Sequence, residues 1–189
     1  SPGARRRAPE RACIRAPAAE ALAHRAGDAA QQARALAYLA LALRMRRRQR
    51  ETRVATDRLS EVAIIAGTRD YLGTAYAHRA WLSLQADDLA AVSALGEQAL
   101  RIWRSLTAYV YPFQWTALLP LMEAALRRDD LEGAVTCIDP LLAPSQHYLV
   151  GSAADALARA QKCWQNGDRA GTQSSFDIAI KYLGDTDYR

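Results

Sequence analysis

Three histidines, His24, His78 and His147, are the side chains best placed to bind a metal or move protons at neutral pH. A helical metal site pairs two histidines at i and i+4, and no such pair occurs, so each is read as a structural or surface residue. The acidic pairs Asp87-Asp88 and Asp129-Asp130 would suit a metal or a general acid, yet adjacent positions at a helix start do not face one another. Helix capping explains them better. A phosphate loop needs clustered glycines followed by Lys and Ser or Thr, and a hydrolase elbow needs GxSxG; the chain has neither. Cys13, Cys137 and Cys163 are odd in number, widely spaced and without a CxxC pair, which suits a reducing cytoplasm rather than a disulfide framework or zinc knuckle. The expectation is a protein with no catalytic residues, no metal ligands and no cofactor.

Two other groups could bind rather than react. Arg44, Arg46, Arg47, Arg48, Arg50 and Arg53 form a basic patch in sequence, able to contact phosphate backbones. The net charge of +5 is uneven: residues 1–53 hold thirteen Arg against four acids, and the remainder carries a net −4. Aromatic residues do not interleave with the arginines, so a solvated turn or a contact with an acidic domain is favoured. Nucleic-acid binding through residues 1–53 is the alternative. Trp81, Trp103, Trp115 and Trp164 could form an aromatic binding surface, although core packing accounts for them more simply, with Trp115 joining Tyr111, Pro112 and Phe113 in a structural cluster.

The elements that position these residues are helices. Forty alanines among 189 residues, ten glycines and little aromatic content favour helix and leave too few β-branched residues for a sheet protein. Polar breakers recur at Asp87-Asp88, Asp129-Asp130 and Gly167-Asp168, 42 and 38 residues apart, and one step back lands in the run Arg46–Arg50. Apolar residues recur at three and four positions on both sides of each breaker. The pattern predicts hairpins over 28–66, 70–106, 112–142 and 146–183. Pro112 is expected in a first helical turn, Pro120 as a kink, and Ser145 as the last hairpin's cap. No hairpin of this length buries its apolar face alone, so the fold class expected is all-α, an α-solenoid of about four antiparallel hairpins. Residues 1–27 read as a basic leader, disordered or partly helical, before a repeat domain at 28–189. The longest apolar run, Ala35 to Leu43, is too short to cross a bilayer, and an uncapped solenoid end would allow a homodimer.

Leu36, Leu39, Ala40 and Leu43 resemble the large, large, small, large signature of tetratricopeptide repeats, and Phe176 and Ala179 supply its counterpart in the last copy. The strings AYAHRAWLSLQADDLAAV, YPFQWTALLPLMEAALRRDDLEGAV and LLAPSQHYL resemble the C-terminal helical-repeat region of bacterial multidomain regulators. In those regulators an AAA or STAND-type ATPase, often fused to a class III adenylate or guanylate cyclase, precedes the repeats. The resemblance implies a TPR-like superhelix that serves as a cytoplasmic protein-interaction and signalling module, its partner a protein, a peptide or the regulator's own ATPase or cyclase domains. It also implies that the first helix of each hairpin lines a concave face. In this chain's register that places Thr74, Ala77, Trp81, Leu119, Glu123, Leu157, Gln161 and Trp164 against the partner.

Overall fold

A computed structural model describes residues 28–147 and 149–185, so the expected leader at 1–27, with Cys13 and His24, lies outside the described residues. Among those described, every regular element is a helix: Ala29–Met45 (α1), Gln49–Ala66 (α2), Arg69–Gln85 (α3), Leu89–Arg104 (α4), Trp115–Arg127 (α5), Leu131–Thr136 (α6), Ile138–Leu142 (α7), Gly151–Gln165 (α8) and Arg169–Asp185 (α9). None of these is long and apolar enough to cross a membrane.

The four breakers share one backbone conformation. Arg47, Asp87, Asp129 and Gly167 adopt left-handed φ of 56°, 57°, 59° and 75°. The N–H of the next residue donates to the carbonyl five positions back: Arg48 to Leu43, Asp88 to Ser83, Asp130 to Ala125 and Asp168 to Cys163. This closure satisfies carbonyls left over at a helix end and turns the chain back on itself. Asp88, Asp130 and Asp168 then cap the next helix, accepting from the N–H groups of Ala91, Gly133 and Gly171 at 3.0, 2.8 and 2.8 Å. Asp87 and Asp129 hold the strained turn and do not cap. Arg48 is the exception at the cap position, for it has no capping oxygen and its guanidinium pairs with Glu51.

Three expectations need correction. α5 begins at Trp115, leaving Pro112 in the irregular connector 105–114. The helix expected over 130–142 breaks at Cys137, because Pro140 has no N–H for the Thr136 carbonyl and its ring crowds that turn. Ser145 does not cap the last hairpin: α8 starts at Gly151 behind Val150 with no side-chain cap. Gln146 ties the connector down instead, accepting from the Gln114 N–H and donating to the Tyr111 carbonyl, both at 3.0 Å.

Each helix packs mainly on its neighbours in the chain, α1 on α2, α3 on α4 and α8 on α9, while α1, α3 and α5 also lie side by side. Gly73 makes the α3–α4 contact possible, since a Cβ there would sit 2.5 Å from the Trp103 indole nitrogen, which donates to the Asp70 carbonyl at 3.0 Å. The main core runs from Ala77 through Trp103, Trp115, Met122 and Leu157 to Phe176, Ala179 and Leu183. The far end of α9 folds back over the row of α1, α3 and α5. There Ile180 and Leu183 meet Trp81, Leu119 and Met122, and Arg47 Nη2 donates to the Gly184 carbonyl at 2.9 Å.

Candidate functional site

Along one face of α3, Asp70, Thr74 and His78 follow one another at i, i+4 and i+8, a polar ridge running from the surface into the protein. Facing it are Tyr38 and Leu41 of α1, and the aromatic residues of the connector 105–114. Together they enclose a cleft of about 170 Å³. Its walls are rings held by rings. Tyr111 stacks on Trp103 with centroids 4.7 Å apart, Phe113 meets Tyr111 edge-on at 5.9 Å, and Tyr38 meets Phe113 edge-on at 6.3 Å. Such offset and edge-on pairs suit the ring quadrupoles and keep the walls in place.

The polar groups of the cleft divide into satisfied and unsatisfied. Thr74 Oγ1 donates to the Asp70 carbonyl at 3.1 Å and lies 2.7 Å from Tyr111 Oη; Thr116 Oγ1 donates to Phe113 O, and Tyr109 Oη donates to Asp70 Oδ2 at 2.6 Å. Burial pushes the Tyr111 and Tyr109 hydroxyls well above the ordinary tyrosine range, with the Asp70 bond adding to the effect at Tyr109. Both therefore stay protonated at neutral pH. His78 is fully buried on the cleft's lining, and neither ring nitrogen has a hydrogen-bond partner. Burial, then the nearby Arg44 charge, holds its pKa well below 6.5, so it is a neutral imidazole.

Arg44 lies in the protein interior at 1 % exposure, its guanidinium 5.5 Å from the ring centroids of both Trp81 and Trp115. Pro120 explains its position. A proline inside α5 has no N–H for the Thr116 carbonyl, and Arg44 Nη1 donates to that oxygen at 2.7 Å. Desolvation brings the Arg44 pKa down to about 9, which leaves it protonated at pH 7.

The residues expected to line a concave partner face have a different placement. Ala77 and Leu157 have no exposed surface, and Trp81, Thr74, Leu119 and Glu123 are 1, 4, 6 and 6 % exposed. Trp81, Leu119 and Glu123 lie beneath α9 around a gap of about 10 Å³, too small for more than a single water. Glu123 also accepts from Arg127 Nη2 at 2.6 Å. Thr74 alone of the eight lines the aromatic cleft. Gln161 and Trp164 are half-buried on α8, where Gln161 bonds Asp139 and Trp164 lies under the Arg169 guanidinium. Of the tryptophans, Trp81, Trp103 and Trp115 are core residues; Trp115 shares the main core with Tyr111 and Phe113, whose further ring partners are Trp103, Tyr38 and His147.

Of the arginine run, one member leaves the surface and five stay exposed. Arg44 is interior, Arg47 bonds the end of α9 and Arg48 pairs with Glu51, while Arg46, Arg50 and Arg53 lie at the surface. No protein-family model, no curated protein and no solved structure matches the chain. Residue-by-residue reading passed over Tyr38, Asp70 and Tyr109 as site residues, took His78 for a structural or surface histidine, and placed Phe113 in a structural cluster. Two signals were present: the i, i+4, i+8 spacing of Asp70, Thr74 and His78, and four aromatic residues within Tyr109–Trp115.

Proposed function

We propose that this chain is a non-catalytic protein-interaction and regulatory module, working without a cofactor in a reducing cytoplasm. In this reading the paired helices form an α-solenoid of about four antiparallel hairpins, the TPR-like arrangement of the regulators named above. The partner is a protein or peptide, docked at the mouth of the aromatic cleft rather than along the row now covered by α9. One observation carries the reading: Tyr38 and Tyr109 stand 41 and 47 % exposed on the lining of a cleft that also holds an unpartnered imidazole, and Val110, between the lining residues Tyr109 and Tyr111 in the chain, is 57 % exposed. Exposed aromatic and aliphatic groups around a recess are where interface energy concentrates. A partner held by differential affinity for two conformations would let the module bias a larger regulator.

The test is affinity capture from the native cytoplasm with the full chain, comparing the wild type with a Tyr38→Ala/Val110→Asp double variant. The reading predicts a specific protein that the double variant loses by about tenfold or more. Capture unchanged by the double variant would move the interface elsewhere. Recovery that depends on nucleic acid and falls steeply with salt would replace it with phosphate binding through residues 1–53.

A further inference from the structure

The cleft is selective in a way its shape alone does not show. At about 170 Å³ it is close to the size at which an engineered apolar cavity of roughly 150 Å³ accepts benzene. Asp70 lies on the cleft lining where the ridge begins, and the buried Arg44, outside the lining, acts electrostatically on His78. Burying a charged guest among these rings would cost its hydration, and Asp70 already accepts from Tyr109 while Arg44 already donates to the Thr116 carbonyl, so a neutral ring is favoured. Thr74, Thr116 and Tyr111 already have partners, which leaves His78 as the buried lining group with bonds still to make. A neutral imidazole presents one donor and one acceptor, and a phenol hydroxyl can meet either. A purely apolar ring would leave both nitrogens unpaired.

We propose that the cleft is a receptor for a single neutral phenol ring, seated among Tyr38, Tyr111 and Phe113 with its hydroxyl hydrogen-bonded to His78. The proposal rests on the interaction reading above and gives that site its ligand chemistry. The ring is supplied either by a tyrosine of the partner or by a free small phenol.

The probes are p-cresol, toluene, benzoate and benzylamine, with binding followed by calorimetry and by the thermal shift of the full chain. The expected result is p-cresol bound about tenfold tighter than toluene, with the two charged rings weaker still. His78→Phe should bring the p-cresol to toluene ratio near one. Should that variant fail to fold, Tyr38→Ala at the exposed rim gives the second test and weakens p-cresol several-fold. Equal affinity for p-cresol and toluene, or p-cresol binding untouched in Tyr38→Ala, overturns the proposal. The source is resolved by an N-acetyl Gly-Tyr-Gly amide and its Phe counterpart: a Tyr peptide as tight as p-cresol assigns the ring to a protein partner, and free p-cresol alone assigns it to a small molecule. A captured partner that saturating p-cresol and Tyr38→Ala both leave in place contradicts the phenol site but not the interaction module. p-Cresol binding with no captured partner contradicts the module but not the site.

Discussion

The two halves of α3 face the same side of the protein and meet opposite fates. Toward its start, Asp70, Thr74 and His78 line an open aromatic cleft. Toward its end, Trp81 and Leu84 are sealed by Ile180 and Leu183 around a gap of about 10 Å³. Composition does not separate the two regions, since each combines aromatic rings with buried polar groups, Thr74 and His78 in the first and Arg44 and Glu123 in the second. The difference is the cover. The C-terminal turn of α9 lies over the second region, while over the first the connector 105–114 forms a wall and leaves a mouth. An apolar row along packed helices is thus open to a partner only where the chain does not cover it itself.

The strongest way to break this comparison is to remove the cover. Leu183 and Phe176 are 2 and 0 % exposed, and Phe176→Ala should cost about 3–5 kcal/mol in urea unfolding, with Leu183→Ala about 2–5. A loss below about 1 kcal/mol for either would mean that α9 is not part of the cooperative fold. Next comes the link between Arg44 and Pro120. Arg44→Met strips the donor from the Thr116 carbonyl and should destabilise by about 1–3 kcal/mol. Pro120→Ala returns a helical N–H to that oxygen, so the double variant should recover much of the loss. A double-mutant cycle with no coupling would contradict the assigned role of the arginine.

The cleft side is sharpened by pH. His78 stays neutral in the folded protein well below 6.5, whereas the unfolded chain takes up a proton below about 6.5. The unfolded state then binds more protons, so stability is complete above that pH and falls as pH drops from 6.5 toward the folded pKa. The loss reaches at most about 1.4 kcal/mol per pH unit, and urea titrations of His78→Gln should lack that component. The smaller effects belong to the repeated turns. Asp88→Ala should cost about 1 kcal/mol by removing a cap, and Asp129→Gly should gain up to about 1 kcal/mol by relieving a left-handed backbone, both read from thermal unfolding.

The helices and their turns were legible because both signals are local. Apolar spacing marks the buried stripe, and an aspartate three residues before an N–H marks a cap. The reading even placed Arg48 in register with Asp88 and Asp130, although its side chain cannot cap. The aspartate pairs were half legible: a pair indicates a turn, yet nothing local says that the first member takes positive φ while the second caps. The candidate site depends on long-range contacts and was largely hidden. Arg44 reads as a surface charge until Pro120, far along the chain, is seen to leave Thr116 without its helical partner. His78 reads as an ordinary core histidine until the connector folds over it, and Trp81, Leu119 and Glu123 read as a partner face until α9 covers them.

The central claim is that the open half of α3 is the receptor and the covered half is core. The most direct measurement is a ¹H–¹⁵N correlation titration of residues 28–189 with p-cresol. The account predicts saturable shifts confined to Tyr38, Asp70, Thr74, His78, Tyr111 and Phe113, with the amides of Trp81, Leu84, Ile180 and Leu183 unmoved. Shifts centred on the latter four, or none that saturate, would contradict it.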